Sequence, residues 1–150
     1  MVNKMNEVKF DKELVVKEII NFLQDLEWSS EKVSPYIIRT FYQGDYDNVQ
    51  VFIKIQEDDI CLLIDPLIQK SKTQWGKSVV SLVNIMKEKI NHIDIGIDHE
   101  GDLFLKVNLL FVHIDLERFQ CLLLGLCQVA ENVLLPLLQA NAFDNIEYQK

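Results

Sequence analysis

Between Ile93 and Leu138 the spacing of apolar residues changes from a period of two to a helical period. Ile93, Ile95 and Ile97 alternate with Asp94, Gly96 and Asp98, Asp98-His99-Glu100-Gly101-Asp102 supplies turn chemistry, and Leu103, Leu105, Val107 and Leu109 resume the alternation. The pattern predicts a β-hairpin that makes one sheet face twice. Asp115 then stands where a helix N-cap belongs, and Leu116, Phe119, Leu122, Leu123, Leu126, Ala130, Val133, Leu134 and Leu137 follow at helical spacing. Pro136 removes one backbone hydrogen bond near the end of this helix, which predicts a bend there.

The earlier chain divides in the same way. Phe10 to Trp28 predicts an amphipathic helix with Asp11 as its N-cap and Leu14, Val15, Ile19, Phe22, Leu23 and Leu26 on one stripe. Ser29-Ser30-Glu31-Lys32 breaks that pattern, and Ser34-Pro35 pushes the backbone toward an extended form. Tyr36 to Tyr42, Val49 to Gln56 and Ile60 to Ile64 then read as three strands. They are joined by turns at Gly44-Asp45-Tyr46-Asp47-Asn48 and Glu57-Asp58-Asp59, with Pro66 expected to end the third. Trp75 to Ile90 carries a second helical pattern.

Strands and helices that do not alternate singly favour an α+β fold: helix, three-stranded antiparallel meander, helix, β-hairpin and long C-terminal helix. The 150 residues fit a single domain, 1–150, with short flexible ends expected at about 1–9 and 143–150.

A net charge of -8 repels phosphate backbones, so nucleic acid is not expected as a partner. The first residues lack the apolar core of a signal peptide, and the later apolar runs read as broken by charge before reaching bilayer length; the expectation is a cytoplasmic protein without a membrane role. Cys61, Cys121 and Cys127 form no Cys-x-x-Cys pair and read as buried free thiols.

Candidate chemistry is sparse. Gly76-Lys77-Ser78 stands where a phosphate-binding loop would place its lysine and hydroxyl, but Ser71 occupies the position that needs a glycine, so a helix start is the stronger reading. Asp94, Asp98, Glu100 and Asp102 gather at the hairpin without calcium-loop spacing and read as a solvated turn. His92, His99 and His113 match no zinc motif, and no cysteine or serine lies in a nucleophile signature. No catalytic residue, cofactor or metal ligand is therefore assigned. The rival is a small-molecule-binding or catalytic domain with a pocket between sheet and helices, using Trp75, Tyr42 or His113.

Beyond its core stripe, the last helix carries Cys121, Leu124, Cys127, Val129, Leu135 and Leu138, so apolar residues wrap most of its circumference. Either some of that surface meets a partner, or the helix lies deep across the sheet between the other two helices. On the first alternative Leu124, Leu135 and Leu138 belong to an interface, with a homodimer and a polypeptide partner as the expected assemblies.

The order α-β-β-β-α-β-β-α, the Asp98-His99-Glu100-Gly101-Asp102-Leu103-Phe104-Leu105 turn entering a strand, and the hairpin passing directly into a C-terminal helix resemble the type III secretion chaperone fold. In texture the chain resembles the YbjN-like bacterial proteins that share it, over about Phe10 to Ala142. The resemblance implies a cytosolic, often dimeric protein that binds other polypeptides or regulates, without a known reaction and without functional residues to carry over.

Overall fold

Asp11 opens the first helix as its sequence predicts, its Oδ1 accepting the Glu13 amide at 3.0 Å, and α1 runs from Lys12 to Asp25 in a computed structural model that describes residues 11–44, 48–69, 75–90 and 92–149. The ends assigned to 1–9, the middle of the turn after Gly44 and most of the polar link before Trp75 lie outside the described residues. α1 stops before Trp28. Glu27 takes a left-handed φ of 61°, and the amides of Trp28 and Glu27 return to the carbonyls of Leu23 and Gln24, which closes the helix by a local motif that normally uses glycine.

The remaining elements are β1 (Ser30–Ser34), β2 (Ile37–Gln43), β3 (Asn48–Ile55), β4 (Asp59–Ile68), α2 (Lys77–Lys89), β5 (Asp94–Ile97), β6 (Leu103–Leu110), a 3-10 turn at Phe111–His113 and α3 (Leu116–Gln149). They build one antiparallel sheet of six strands in the order β1-β2-β3-β4-β6-β5. The α+β class and the element order expected from the pattern are those of the structure.

Four readings are corrected. Ser30–Ser34, taken as a break, is an edge strand; its residues are mostly exposed, so no apolar period marks it, and it is held by its pairing with β2 and by the Glu31–Arg39 ion pair. Pro66 does not end its strand, because β4 continues to Ile68 and the proline falls in a register irregularity between Ile64 and Ile68, where no ladder amide is required. The 143–149 stretch is not a frayed tail, since α3 continues through Pro136 to Gln149 and its Asp144 is tied to α2. Finally, α3 holds a span, Leu116–Ile146, long and apolar enough by length and composition to cross a membrane; Glu131 is the one charge between Phe119 and Phe143, too little to interrupt it.

The core lies between the sheet and the helices. Ile38, Ile53, Leu62 and Val107 stand abreast in consecutive strands, as do Ile55, Ile60 and Leu109, and all are buried. Against them pack Ile19 and Leu23 of α1, Val79 and Val83 of α2, and Phe119, Leu123, Leu126, Cys127, Ala130, Val133 and Leu137 of α3. Phe22 and Phe119 link α1 to α3, with ring centroids 5.6 Å apart. Thr40 is the buried polar exception on this face, and its hydroxyl donates to the Ser29 carbonyl at 2.6 Å. Alternation sends Arg39, Phe52, Leu63 and Lys106 to the opposite face, away from the helices.

Candidate protein-binding surface

α3 buries one side and presents the other. Residues 124, 135 and 138 recur at spacings of eleven and fourteen, which at 3.6 residues per turn places them on one side of a helix. Leu135 and Leu138 are 39% and 42% exposed, and Leu124 is half-buried. The structure thus puts these three positions on the flank of α3 that turns from the sheet. Phe143 and Ile146 extend the exposed apolar surface toward the helix end.

Leu124 and Leu138 each line a cavity. Leu124 borders one of about 550 Å³ shared with Trp28, Phe41, Tyr42 and Gln43, where the Trp28 and Tyr42 rings stack at 6.0 Å. Leu138 borders one of about 490 Å³ formed where the start of β3 and the end of β4 meet α3, with Val49, Ile64, Leu67, Ile68 and Leu134 as apolar walls. Both use the same end of the sheet: β2 ends there, β3 starts there and β4 ends there.

Asp65 and Gln50 supply polar groups to the second cavity. Asp65 also meets the hairpin turn, where Asp98 Oδ1 accepts the amides of Glu100 and Asp102 at 2.9 Å each and Gly101 takes the left-handed φ of 90° that the turn requires. Burial, a hydrogen bond to Asp98, and the charges of Asp98, Asp102 and Glu100 push Asp65 up to about 6. At Asp98 desolvation is outweighed by hydrogen bonds from Asp65 and from the Asp102 and Glu100 amides, which hold it below its ordinary value. Asp65, Asp98 and Asp102 bring ligand atoms within 4.8 Å of one another and are a group that could hold a hard cation. The hairpin carboxylates were legible in the sequence; Asp65, more than thirty positions earlier, was not.

The other sequence candidates separate. The Trp75 indole donates to the Gly101 carbonyl at 2.6 Å, and Tyr42 and His113 line different cavities, so no single pocket collects the three. Arg118 Nη1 lies 3.2 Å from His113 Nδ1; a guanidinium can only donate, so Nδ1 accepts and the His113 proton sits on Nε2. Gly76-Lys77-Ser78 is a helix start, and a carboxylate already occupies it: Asp144 accepts the Ser78 and Val79 amides at 3.1 Å each. Cys61 and Cys127 are buried, whereas Cys121 is exposed, because its position on α3 turns from the sheet.

No family model and no curated protein sequence matches the chain. Its fold is similar to that of a chain in the heterodimeric complex ExoU-SpcU from the type III secretion system of Pseudomonas aeruginosa, with a TM-score of 0.57 and 12% sequence identity over 78% of this chain and 94% of that one. Likeness at that identity establishes architecture, and the architecture is the α+β, type III secretion chaperone-like fold expected from the element order.

Proposed function

We propose that this chain is a non-enzymatic protein-binding module, chaperone-like or regulatory, akin to the YbjN-like proteins and working in the cytoplasm as a homodimer. The observation that carries the reading is the flank of α3: a helix whose inner side is fully engaged in the core keeps Leu124, Leu135 and Leu138 on its outer side, together with exposed Phe143 and Ile146. Polar residues are the usual occupants of such a side, and a contiguous apolar stripe there is a feature of surfaces that meet other proteins. The structural neighbour, a chain of a heterodimeric complex, supports a polypeptide partner for this fold.

The test is affinity capture with the native chain and with a Leu135→Glu, Leu138→Glu variant. Specific polypeptides retained by the native chain and lost by the variant are the expected result. Repeated capture of nothing above background by the native chain counts against the reading.

A further inference from the structure

The groove between the end of β4 and α3 has a charge as well as a shape. Its walls are aliphatic, from Val49, Ile64 and Leu67 of the sheet to Leu134 and Leu138 of α3, and its volume of about 490 Å³ admits one or two aliphatic side chains. Asp65 stands in the same lining, so the apolar slot ends at a carboxyl group. We propose that this groove docks a basic-apolar segment of a partner polypeptide, an aliphatic side chain lying against Leu134 and Leu138 with a neighbouring Lys or Arg placed beside Asp65. The inference rests on the protein-binding reading and names the chemistry of the partner.

Charge complementarity decides the occupant. Every titratable group that acts on Asp65 is acidic: Asp98, Asp102 and Glu100 from the hairpin turn. The other elements around the groove contribute neutral residues, Asn48, Val49 and Gln50 from β3 and Leu134 and Leu138 from α3. An anionic segment would be repelled, and a purely apolar one would leave an ionised carboxylate partly desolvated beside it. A cation relieves both costs, because it favours the charged form of Asp65 against its acidic neighbours. The chain as a whole carries a net charge of -8, which steers a basic segment toward it and opposes a second copy in the same place.

The pairing has a pH signature. Asp65 is pushed up to about 6, so below that value it is protonated and the cation loses its counter-charge. The experiment is fluorescence anisotropy of the full chain with three dye-labelled synthetic peptides on one Gly-Ser frame, whose cores are Leu-Arg-Leu, Leu-Glu-Leu and Ser-Arg-Ser, at about pH 7.5 and about pH 5. Only Leu-Arg-Leu is expected to bind well, at least about tenfold more weakly at the lower pH, and about tenfold more weakly to Asp65→Asn and to Leu138→Ser than to the native chain. Asp65→Asn keeps the side-chain shape and can donate to Asp98, and Leu138 is 42% exposed, so both variants should fold, as circular dichroism verifies.

Equal binding of the three peptides, binding by none, or native-like binding of Leu-Arg-Leu by both variants overturns the groove. The broader reading fails separately: a polypeptide captured from lysate that binds native chain and both variants alike removes the groove while leaving a protein-binding module in place.

Discussion

Asp144 of α3 accepts the backbone amides of Ser78 and Val79, at 3.1 Å each, and so caps a helix that begins sixty-six residues earlier. Gly76, the N-cap position of α2, has no side chain with which to do this, and a Cβ built there would come within 2.5 Å of the Asp144 carboxyl. The amide donors that anions seek at helix N-termini are satisfied here from within the chain. The same bonds tie the helical segment beyond Pro136 to the rest of the fold.

Removing that cap should cost stability. Asp144→Ala is expected to lower unfolding free energy by about 1 kcal/mol in urea titration, and Gly76→Ala should destabilise because its methyl displaces the carboxyl. Desolvation at Asp144 is outweighed by the Ser78 hydroxyl and the Ser78 and Val79 amides, which hold its carboxyl below the ordinary value of 3.8. Its contribution is therefore fully present above that value and is lost as pH falls through the depressed one, so the gap between native chain and Asp144→Ala should close in acid.

Asp65 carries the opposite sign. Its value is raised from 3.8 to about 6, so the folded state holds the proton more tightly and stability is lost as pH rises through that window. Asp65→Asn should match the native chain near pH 4 and exceed it above about pH 6, by about 1 kcal/mol once solvent screening is counted. Thermal melts across that range measure it. A variant more stable than the native chain but poorer at binding the Leu-Arg-Leu peptide would mark a carboxylate kept for recognition.

Thiol chemistry should distinguish the cysteines. Burial, with a smaller contribution from Glu131, pushes Cys127 up to about 12, and burial raises Cys61, whereas Cys121 is exposed. A maleimide should label Cys121 rapidly in the native protein, with Cys61 and Cys127 reacting on unfolding, as mass spectrometry of peptic fragments will read. Rapid labelling of Cys127 would mean that the α3 core face opens in solution.

The proposed dimer is tested by sedimentation at micromolar concentration. A native dimer is expected, and Leu124→Glu with Leu135→Glu should convert it to a monomer of 17.5 kDa, since each Leu that leaves an interface gives up roughly 1.5 to 3 kcal/mol. A native chain that sediments as a monomer at every concentration rules the dimer out. A dimer indifferent to the substitutions moves the interface away from this helix.

The sequence by itself determined what neighbours in the chain can decide. Asp11 and Asp115 cap helices that start one residue later, the amides of Glu13 and Arg118 reaching their carboxylates, so both caps were legible. The alternation from Ile93 to Leu109 gave the hairpin because each strand shows the core one side chain in two. Tertiary structure alone decided the rest. β1 is mostly exposed and has no apolar period, so only its pairing with β2 makes it a strand. Pro66 was read as a stop because the register irregularity that accommodates it depends on β6, nearly forty residues on. Asp144 reaches α2, and Asp65 reaches Asp98, across distances in sequence over which a carboxylate carries no mark of its partner. Which side of α3 stays uncovered was likewise undecidable from an apolar circumference, because packing against the sheet, and not composition, selects the buried side.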